Sequence, residues 1–326
     1  MEQESLQLNR LTYYRTGGAC QSLMLPRSVD ELQENLRALQ RGKVPYFVLG
    51  AGSNSLVWDD PWDGAVIAFR SLTGLSQDGA LLRAQAGVAN TELCRFASRL
   101  GLDAAWMAGL PGEIGATVRM NARCYGGEMS QIVRSVQAVD GEGNLVELAA
   151  DPSLFLGYKD TVFMHSPLIV VGCALQLPPR PREEIAAAIA QNEADRRAKG
   201  HFLYPSCGCV FKNNHAVGVP GGMLLEHAGV HGLNSERVQV NPHHANFVFN
   251  LGASSREILE VTLAMREAVY VHFGVWLEYE MEILGRLPRQ WADRIREVRP
   301  QQPREDALAP LRALFLSQRS PQPGCC

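Results

Sequence analysis

Apolar residues recur every three or four positions in some stretches and alternate in others, and the two rhythms divide the chain into helices and strands. Leu32, Leu36 and Leu39 share a helical face behind Ser28-Val29-Asp30-Glu31, a capping-box pattern, and Gly42 closes that helix. The run VPYFVLG, Val44 to Gly50, predicts a buried strand; GAVIAFR, Gly64 to Arg70, predicts a second, and the alternating ALLRAQAGV a third. Thr91 opens a helix that lines up Leu93, Phe96, Ala97 and Leu100. Strands return in VRSVQAVDGEGNLVEL, around a hairpin turn marked by Asp140-Gly141 and Glu142-Gly143, and again in SPLIVVGCALQL. The run PPRPR, Pro178 to Arg182, breaks the chain, and a helix follows to about Lys199. Beyond it come a short helix near Leu224 and strands around Val238 and Phe247. A long helix then starts at Ser254, with Glu257 as cap partner and Ile258, Val261, Met265, Ala268 and Val269 on its buried face. VWLEYEMEIL predicts a last strand ending at Gly285. From Arg286 the chain turns basic, then Pro/Gln-rich; this predicts at most one helix in a disordered tail that carries Cys325-Cys326. No internal repeat is visible.

Two stretches obey neither rhythm. GAGSNS, Gly50 to Ser55, follows a strand, and such a turn aims backbone N–H groups at an anion or simply ends the strand. It lacks the third glycine and the following helix of a dinucleotide fingerprint, so an anion there would be held by loop amides and the Ser53 hydroxyl. Residues 108–129, AGLPGEIGATVRMNARCYGGEM, repeat glycine among Leu110, Ile114, Val118 and Met120, which is too apolar for a solvated loop. Glycine among apolar residues suits close approach of backbone to something flat and bulky, such as a large cofactor with a diphosphate.

Composition narrows the classes. The 326 residues are 46% hydrophobic and 20% charged, enough for two domains with real cores. A net charge of −3 gives no bulk attraction for nucleic acid. No apolar run of membrane-spanning length occurs, and MEQESLQLNR has no secretory pattern, so we expect a cytoplasmic protein whose eight cysteines are thiols. YPSCGCVFKNN, Tyr204 to Asn214, places two of them one residue apart; Cys-x-Cys without a second pair is a poor zinc signal, and no metal is expected.

In order along the chain, VLGAGSNSLV, AGLPGEIGATVRMNARCYGGE, GYKDT, YPSCGCVFKNN, HHANFVFN and LEYEMEILG resemble the motifs of the UDP-N-acetylenolpyruvoylglucosamine reductase family. The resemblance covers roughly residues 8–285, and the short spacing between Lys159 and Cys209 resembles the branch without an extra substrate-capping loop. It implies an α+β protein: a vanillyl-alcohol-oxidase-type FAD-binding fold of two subdomains, 8–70 and 71–180, plus a smaller α+β substrate-binding domain, 181–285, with the tail at 286–326. It implies noncovalent FAD, NADPH as hydride donor, and a UDP-sugar enolpyruvyl ether as substrate, reduced to UDP-N-acetylmuramate for peptidoglycan. The expected partners are these small molecules, with no nucleic acid or membrane, in a monomer or weak dimer.

The same resemblance assigns residues. Cofactor contacts fall on Gly50, Gly52, Ser53, Asn54, Gly109, Pro111, Gly112, Gly115 and Asn121. Charge developing beside the substrate carboxylate needs a cation and a proton-sharing acid, and the neighbouring carbon needs a proton. Lys159 stands where the family has arginine, Glu280 matches its carboxyl residue, and Cys209 matches its proton-donating serine. Tyr125, Tyr158, Lys212, Asn213, His244 and Asn246 are implied substrate contacts, with a purely structural role open for His244 and Asn246. Cys207, Glu278 and Glu282 read as a buried thiol and a solvated strand face. Arg123 and Ala116 replace glycines, Asn214 and Tyr279 replace prolines, and Asn241 replaces a serine. Two alternatives remain at this point: a flavin-dependent sugar or alcohol oxidase of the same fold, and a non-catalytic cell-wall paralogue.

Overall fold

The computed structural model describes residues 6–318. The chain divides into two compact units that interleave along the sequence. Among the described residues, one takes Cys20–Ala51 and Asp63–Asp195; the other takes 6–19, Gly52–Trp62 and 196–318. The consecutive division expected from the sequence therefore needs correction: residues 8–19 and Gly52–Trp62, expected in the first FAD-binding subdomain, group with the C-terminal residues, and 181–195 group with the FAD-binding unit. Gly52–Trp62 leaves its sequence neighbours because its strand Ser55–Val57 pairs, in parallel, with Glu282–Leu284.

The first unit is built on two sheets. Strands Ala19–Met24, Trp62–Ile67 and Tyr46–Val48 lie side by side in that order, the last two parallel with Phe47 opposite Val66. Helix Val29–Gly42 covers them by burying Leu32, Leu36 and Leu39 against Ala65, Ile67 and Phe69. The Ser28 hydroxyl accepts the Glu31 N–H at 3.1 Å, but the Glu31 carboxylate accepts from Arg27, one residue earlier than a capping box requires. Lys43, not glycine, takes the left-handed turn that ends the helix. The second sheet runs Leu145–Ala149, Val133–Val139, Ile169–Leu175, Leu81–Gln85, Leu75–Asp78, antiparallel throughout. Ile169–Leu175 is buried at every position, as the unbroken apolar run in its sequence requires. At the predicted hairpin the Asp140 carboxylate accepts the Glu142 and Asn144 N–H groups at 2.9 and 2.8 Å, which holds its pKa below the ordinary value. The aperiodic stretch 108–129 conceals a short helix, Ile114–Arg119, whose Ile114 and Val118 enter the core with Leu93, Met107 and Phe163.

The second unit is organised by helix Ser255–Phe273. Its predicted capping box is complete: Ser254 Oγ accepts the Glu257 N–H at 3.3 Å and the Glu257 carboxylate accepts the Ser254 N–H at 2.9 Å. Val238–Val240 and Val248–Asn250 form an antiparallel pair, and helix Gly221–His227 packs nearby in the same core. Of the predicted strand 275–284 only Glu282–Leu284 is regular; Tyr279 joins Phe211 through a single bridge.

The disordered tail is the largest correction among the described residues. Helices Arg289–Arg296 and Glu305–Gln318 bring Trp291, Leu308 and Leu311 into the same core as Leu56, Trp58, Met265 and Val269. The linker between them is tied down by Gln302 N–H to the Gly274 carbonyl, 2.8 Å, and Arg304 N–H to the Phe273 carbonyl, 2.9 Å. Arg266, 2% exposed, donates to the Arg294 and Ile295 carbonyls at 2.6 and 3.2 Å, and its guanidinium lies 4.1 Å from the centroid of the Trp276 ring. The tail's composition is that of a solvated segment, but its few apolar residues dock, and the buried arginine supplies the polar anchor. Cys325-Cys326 and the first five residues lie outside the described chain. No described helix is long and apolar enough to cross a membrane.

Candidate active site

Of the predicted flavin residues, Gly50, Gly109, Pro111, Gly112, Gly115 and Asn121 lie in the first unit, most of them on the short helix and its flanks, while Gly52, Ser53 and Asn54 fall in the second. Gly109 and Gly112 have φ of +65° and +123°, which side chains rarely tolerate. A Cβ on Gly115 would come within 2.7 Å of the Ala86 Cβ, and one on Gly50 within 3.2 Å of the Ala116 Cβ. The Gly50 backbone therefore comes close against Ala116 of the second glycine-rich stretch, whose Gly115 is pressed on Ala86 and which also carries Pro111. Into this approach points one group that the sequence reading passed over. Glu113 is 7% exposed, and its Oε2 has no hydrogen-bond partner. Burial outweighs the nearby Arg70 guanidinium and pushes its pKa up to about 7. Nothing in its motif context marks this residue; the signal was a carboxylate placed between glycines in an apolar run.

Asn121 follows the helix in a left-handed conformation, φ +46°. Its Oδ1 accepts the Ser130 N–H at 3.0 Å; its Nδ2 donates to Glu128 at 2.5 Å and to the Gly157 carbonyl at 3.4 Å. The Gly157 and Asp160 backbones exchange two 3.3 Å hydrogen bonds, and Lys159 stands between them at φ +53°. The Thr161 hydroxyl donates to the Arg119 carbonyl at 2.5 Å. The tight turn that presents Lys159 is thus tied at both ends to the segment following the flavin loop. Tyr158 is its half-buried neighbour. Tyr125, at φ +47°, donates its hydroxyl to Asp195 at 2.8 Å, so its ring is anchored on helix Arg182–Ala198. Arg123 is exposed in a two-residue strand opposite Glu128.

In the second unit the YPSCGCVFKNN segment runs between two others. Cys209 bridges Phe247 on one side, and on the other the Val210 carbonyl accepts the Glu280 N–H at 2.8 Å. Cys209 and Glu280 therefore lie on neighbouring extended segments, Glu280 bonded to the residue after Cys209. The first side is completed by a side chain: buried Asn246 accepts the Phe211 N–H at 2.9 Å and donates to the Phe211 carbonyl at 2.8 Å. This amide acts as a strand edge. Asn54 serves the other side, donating to the Glu280 carbonyl at 2.9 Å and accepting the Glu282 N–H on its own carbonyl. Gly52 turns at φ +70°, where a Cβ would strike the Leu11 carbonyl at 2.7 Å, and Ser53 lies between it and Asn54.

Lys212 donates its N–H to the Glu278 carbonyl at 2.9 Å, and Asn213 Oδ1 accepts the Gly221 N–H at 2.7 Å, fixing the start of helix Gly221–His227. A Cβ on Gly222 would lie 3.4 Å from His244, whose ring packs on Phe247 at 4.7 Å. Cys207 is buried, facing the Tyr14 hydroxyl, and burial pushes its thiol far up. It is inert where Cys209 is half-exposed. Tyr279 stacks on Phe211 at 5.0 Å, within 3.2 Å of the Thr262 hydroxyl, and burial raises its pKa to about 12. No group of three or more metal-ligating side chains occurs among the described residues.

The buried, partnerless oxygen of Glu113 and the glycine approach around it fit a cofactor bound by the first unit. Comparisons agree. Residues 20–149 match the family described as FAD binding domain, and residues 200–284 match UDP-N-acetylenolpyruvoylglucosamine reductase, C-terminal domain. The UDP-N-acetylenolpyruvoylglucosamine reductase of Treponema denticola is 35% identical over 299 residues, spanning 85% of this chain and 92% of that one. Its counterpart from Clostridioides difficile is 33% identical over 275 residues, spanning 83% and 90%. The crystal structure of the Thermus caldophilus enzyme, 29% identical, aligns with a TM-score of 0.71 over 86% of this chain and 98% of that one. The fold is the vanillyl-alcohol-oxidase-type FAD-binding fold joined to an α+β C-terminal domain, as the motifs implied.

Proposed function

The chain belongs to the UDP-N-acetylenolpyruvoylglucosamine reductase family of FAD-containing oxidoreductases, and from that premise we propose that it uses NADPH to reduce the enolpyruvyl ether of UDP-N-acetylglucosamine to UDP-N-acetylmuramate for peptidoglycan, in the cytoplasm. The observation that carries the reading is the placement of Cys209 and Glu280 on neighbouring extended segments of a two-sided ladder, with Asn54 of the GAGSNS loop bonded to Glu280's own carbonyl.

FAD, when bound, would supply the hydride. Gly50, Gly52, Ser53, Asn54, Gly109, Pro111, Gly112, Gly115 and Asn121 would line its site, with Glu113 added. The side chains do the rest. Lys159 brings a positive charge to the substrate's carboxylate end as negative charge grows there, an effect worth about 10²–10³ in rate for one such contact. A lysine offers a point charge where arginine offers a fork, so orientation must come from the backbone, and the left-handed turn at Lys159 provides a rigid mount. Glu280 shares a proton with that carboxylate. Cys209 holds, at Sγ, the proton delivered to the neighbouring carbon. Lys212, Asn213, Tyr125, Tyr158 and His244 bind and orient the UDP-sugar. Asn246 acts through the ladder that holds Cys209 in place.

The test mixes purified protein, NADPH and the enolpyruvyl ether and follows NADPH absorbance together with product mass. NADPH loss that requires the substrate and yields a product two hydrogens heavier supports the reading. Loss of NADPH to oxygen alone, with substrate returned intact, refutes it.

A further inference from the structure

Glu113 sits where a cofactor-binding loop ordinarily has no use for an acid. It occupies the position before helix Ile114–Arg119, where short polar side chains cap the first helical N–H groups. Here it makes no such cap. Its backbone is committed: the carbonyl accepts the Thr117 N–H at 3.0 Å, and the residue bridges Ala89. The side chain instead turns inward. Its Oε2 is buried without a partner and lies 3.8 Å from where a Gly50 Cβ would be. A buried carboxyl oxygen left unsatisfied costs about 1–3 kcal/mol and more if charged, so a missing partner is implied. The oxygen faces the meeting point of both glycine-rich loops, within the FAD-binding unit.

We propose that Glu113 is a cofactor ligand, a neutral carboxylic acid whose Oε2–H donates a hydrogen bond to an acceptor oxygen of bound FAD. The inference rests on FAD binding by this unit and adds to it a residue and a protonation state. The acceptor is either a diphosphate oxygen or a carbonyl of the flavin ring; both ask for a donor and both reject a carboxylate. Arg70 is the charged group facing Glu113, and its pull toward the carboxylate is already outweighed by burial. An acceptor oxygen brought alongside reinforces the neutral form. Binding should then take up a proton once the free site begins to ionise.

The experiment strips FAD from the purified protein and measures its dissociation constant by flavin fluorescence from pH 6 to pH 9. The parent should bind with constant affinity at the acid end and weaken above pH 7, by up to about tenfold per pH unit. Glu113→Gln keeps a neutral donor and should bind with little pH dependence across the range. Glu113→Ala should bind at least about tenfold more weakly than the parent at pH 6. Riboflavin, which lacks the diphosphate, locates the acceptor: a pH dependence shared with riboflavin puts it on the ring, and one seen only with FAD puts it on the diphosphate. A parent affinity that is flat or rises with pH, or an alanine variant that binds FAD like the parent, overturns the proposal. Failure of the parent to bind FAD at any pH would instead overturn the cofactor reading on which it stands.

Discussion

Removing residues 286–318 should unfold the C-terminal unit rather than trim a loose end. The truncation uncovers the pocket of Trp291, Leu308 and Leu311, each less than a tenth exposed. Burial of side chains this size is worth about 1.5–3 kcal/mol apiece. It also strips Arg266 of the Arg294 and Ile295 carbonyls. Hydrogen bonds from a charged group are worth about 1.5–3 kcal/mol each. Set against a typical domain stability of about 5–15 kcal/mol, the loss is most or all of what holds the unit together. A milder version is Leu308→Ala, expected to cost about 2–5 kcal/mol because the residue is fully buried. The assay is urea unfolding followed by tryptophan fluorescence. Arg266→Met provides an internal control through its sign. In the full chain it removes two good hydrogen bonds and should lower the urea midpoint; in the truncated chain it removes a stranded charge and should raise the midpoint or restore solubility. A truncated protein that is soluble and unfolds at the parent's midpoint would refute the docking of the tail.

Four further outcomes follow from the same geometry. Lys159→Gly should raise thermal stability slightly, since leaving a left-handed backbone to glycine relieves about 1–2 kcal/mol, while product formation falls about 10²–10³-fold; melting and turnover measured on one sample separate the two effects. Cys209→Ala should leave reduction of the flavin by NADPH intact but slow product formation in stopped flow, and equal damage to both phases would point to misfolding; because Cys207 is buried, alkylation near this segment should report on Cys209, and Cys209→Ser should resist it. Gly127→Ala would push a Cβ to 2.2 Å from the Trp106 ring, so it should cost at least about 1–3 kcal/mol and lower FAD retention; a variant as stable as the parent would show that the ring yields freely. The folded-state pKa of Glu113 is raised from 4.5 to about 7, so the folded state favours its proton: the FAD-free protein should be steadiest below pH 4.5 as far as this group is concerned, lose stability as pH rises toward 7, and change little beyond, and Glu113→Gln should flatten that slope in melting temperature against pH.

Much of this architecture can be read in the chain because burial imposes its period on the residues. The helix at Ser254 was legible from cap to core, since Ser254, Glu257 and Ile258 each satisfy a local rule. The hairpin at Asp140 was legible for the same reason. Three things were hidden, two of them non-local. The helix Ile114–Arg119 has too few residues to display a period, and its glycines mask what it has. The strand partner of Phe211 is a side chain, Asn246, whose role depends on a fold and not on its neighbours. The tail looked solvated because its polar majority is solvated, and the residue that anchors it, Arg266, belongs to another helix. At the candidate site, motif order nominated Lys159, Cys209 and Glu280, but the acid at 113 needed burial and an empty hydrogen-bond valence to become visible.

The interleaving of the two units sets the order in which a ribosome can finish them. Asn54 reaches Glu280 across 226 positions, and Tyr14 gives its carbonyl to Asn250 across 236. At about 5–20 residues per second, the early segments wait about 10–50 s for these partners to emerge. The flavin unit draws on Cys20–Ala51 and Asp63–Asp195, so it is complete in sequence far sooner. Tyr14, Leu56 and Val57 meanwhile trail from it as unsatisfied apolar chain. Nascent chains arrested between about residue 200 and residue 280 should therefore be the ones chaperones hold longest. Ribosome profiling of chaperone-bound nascent chains would register that window directly.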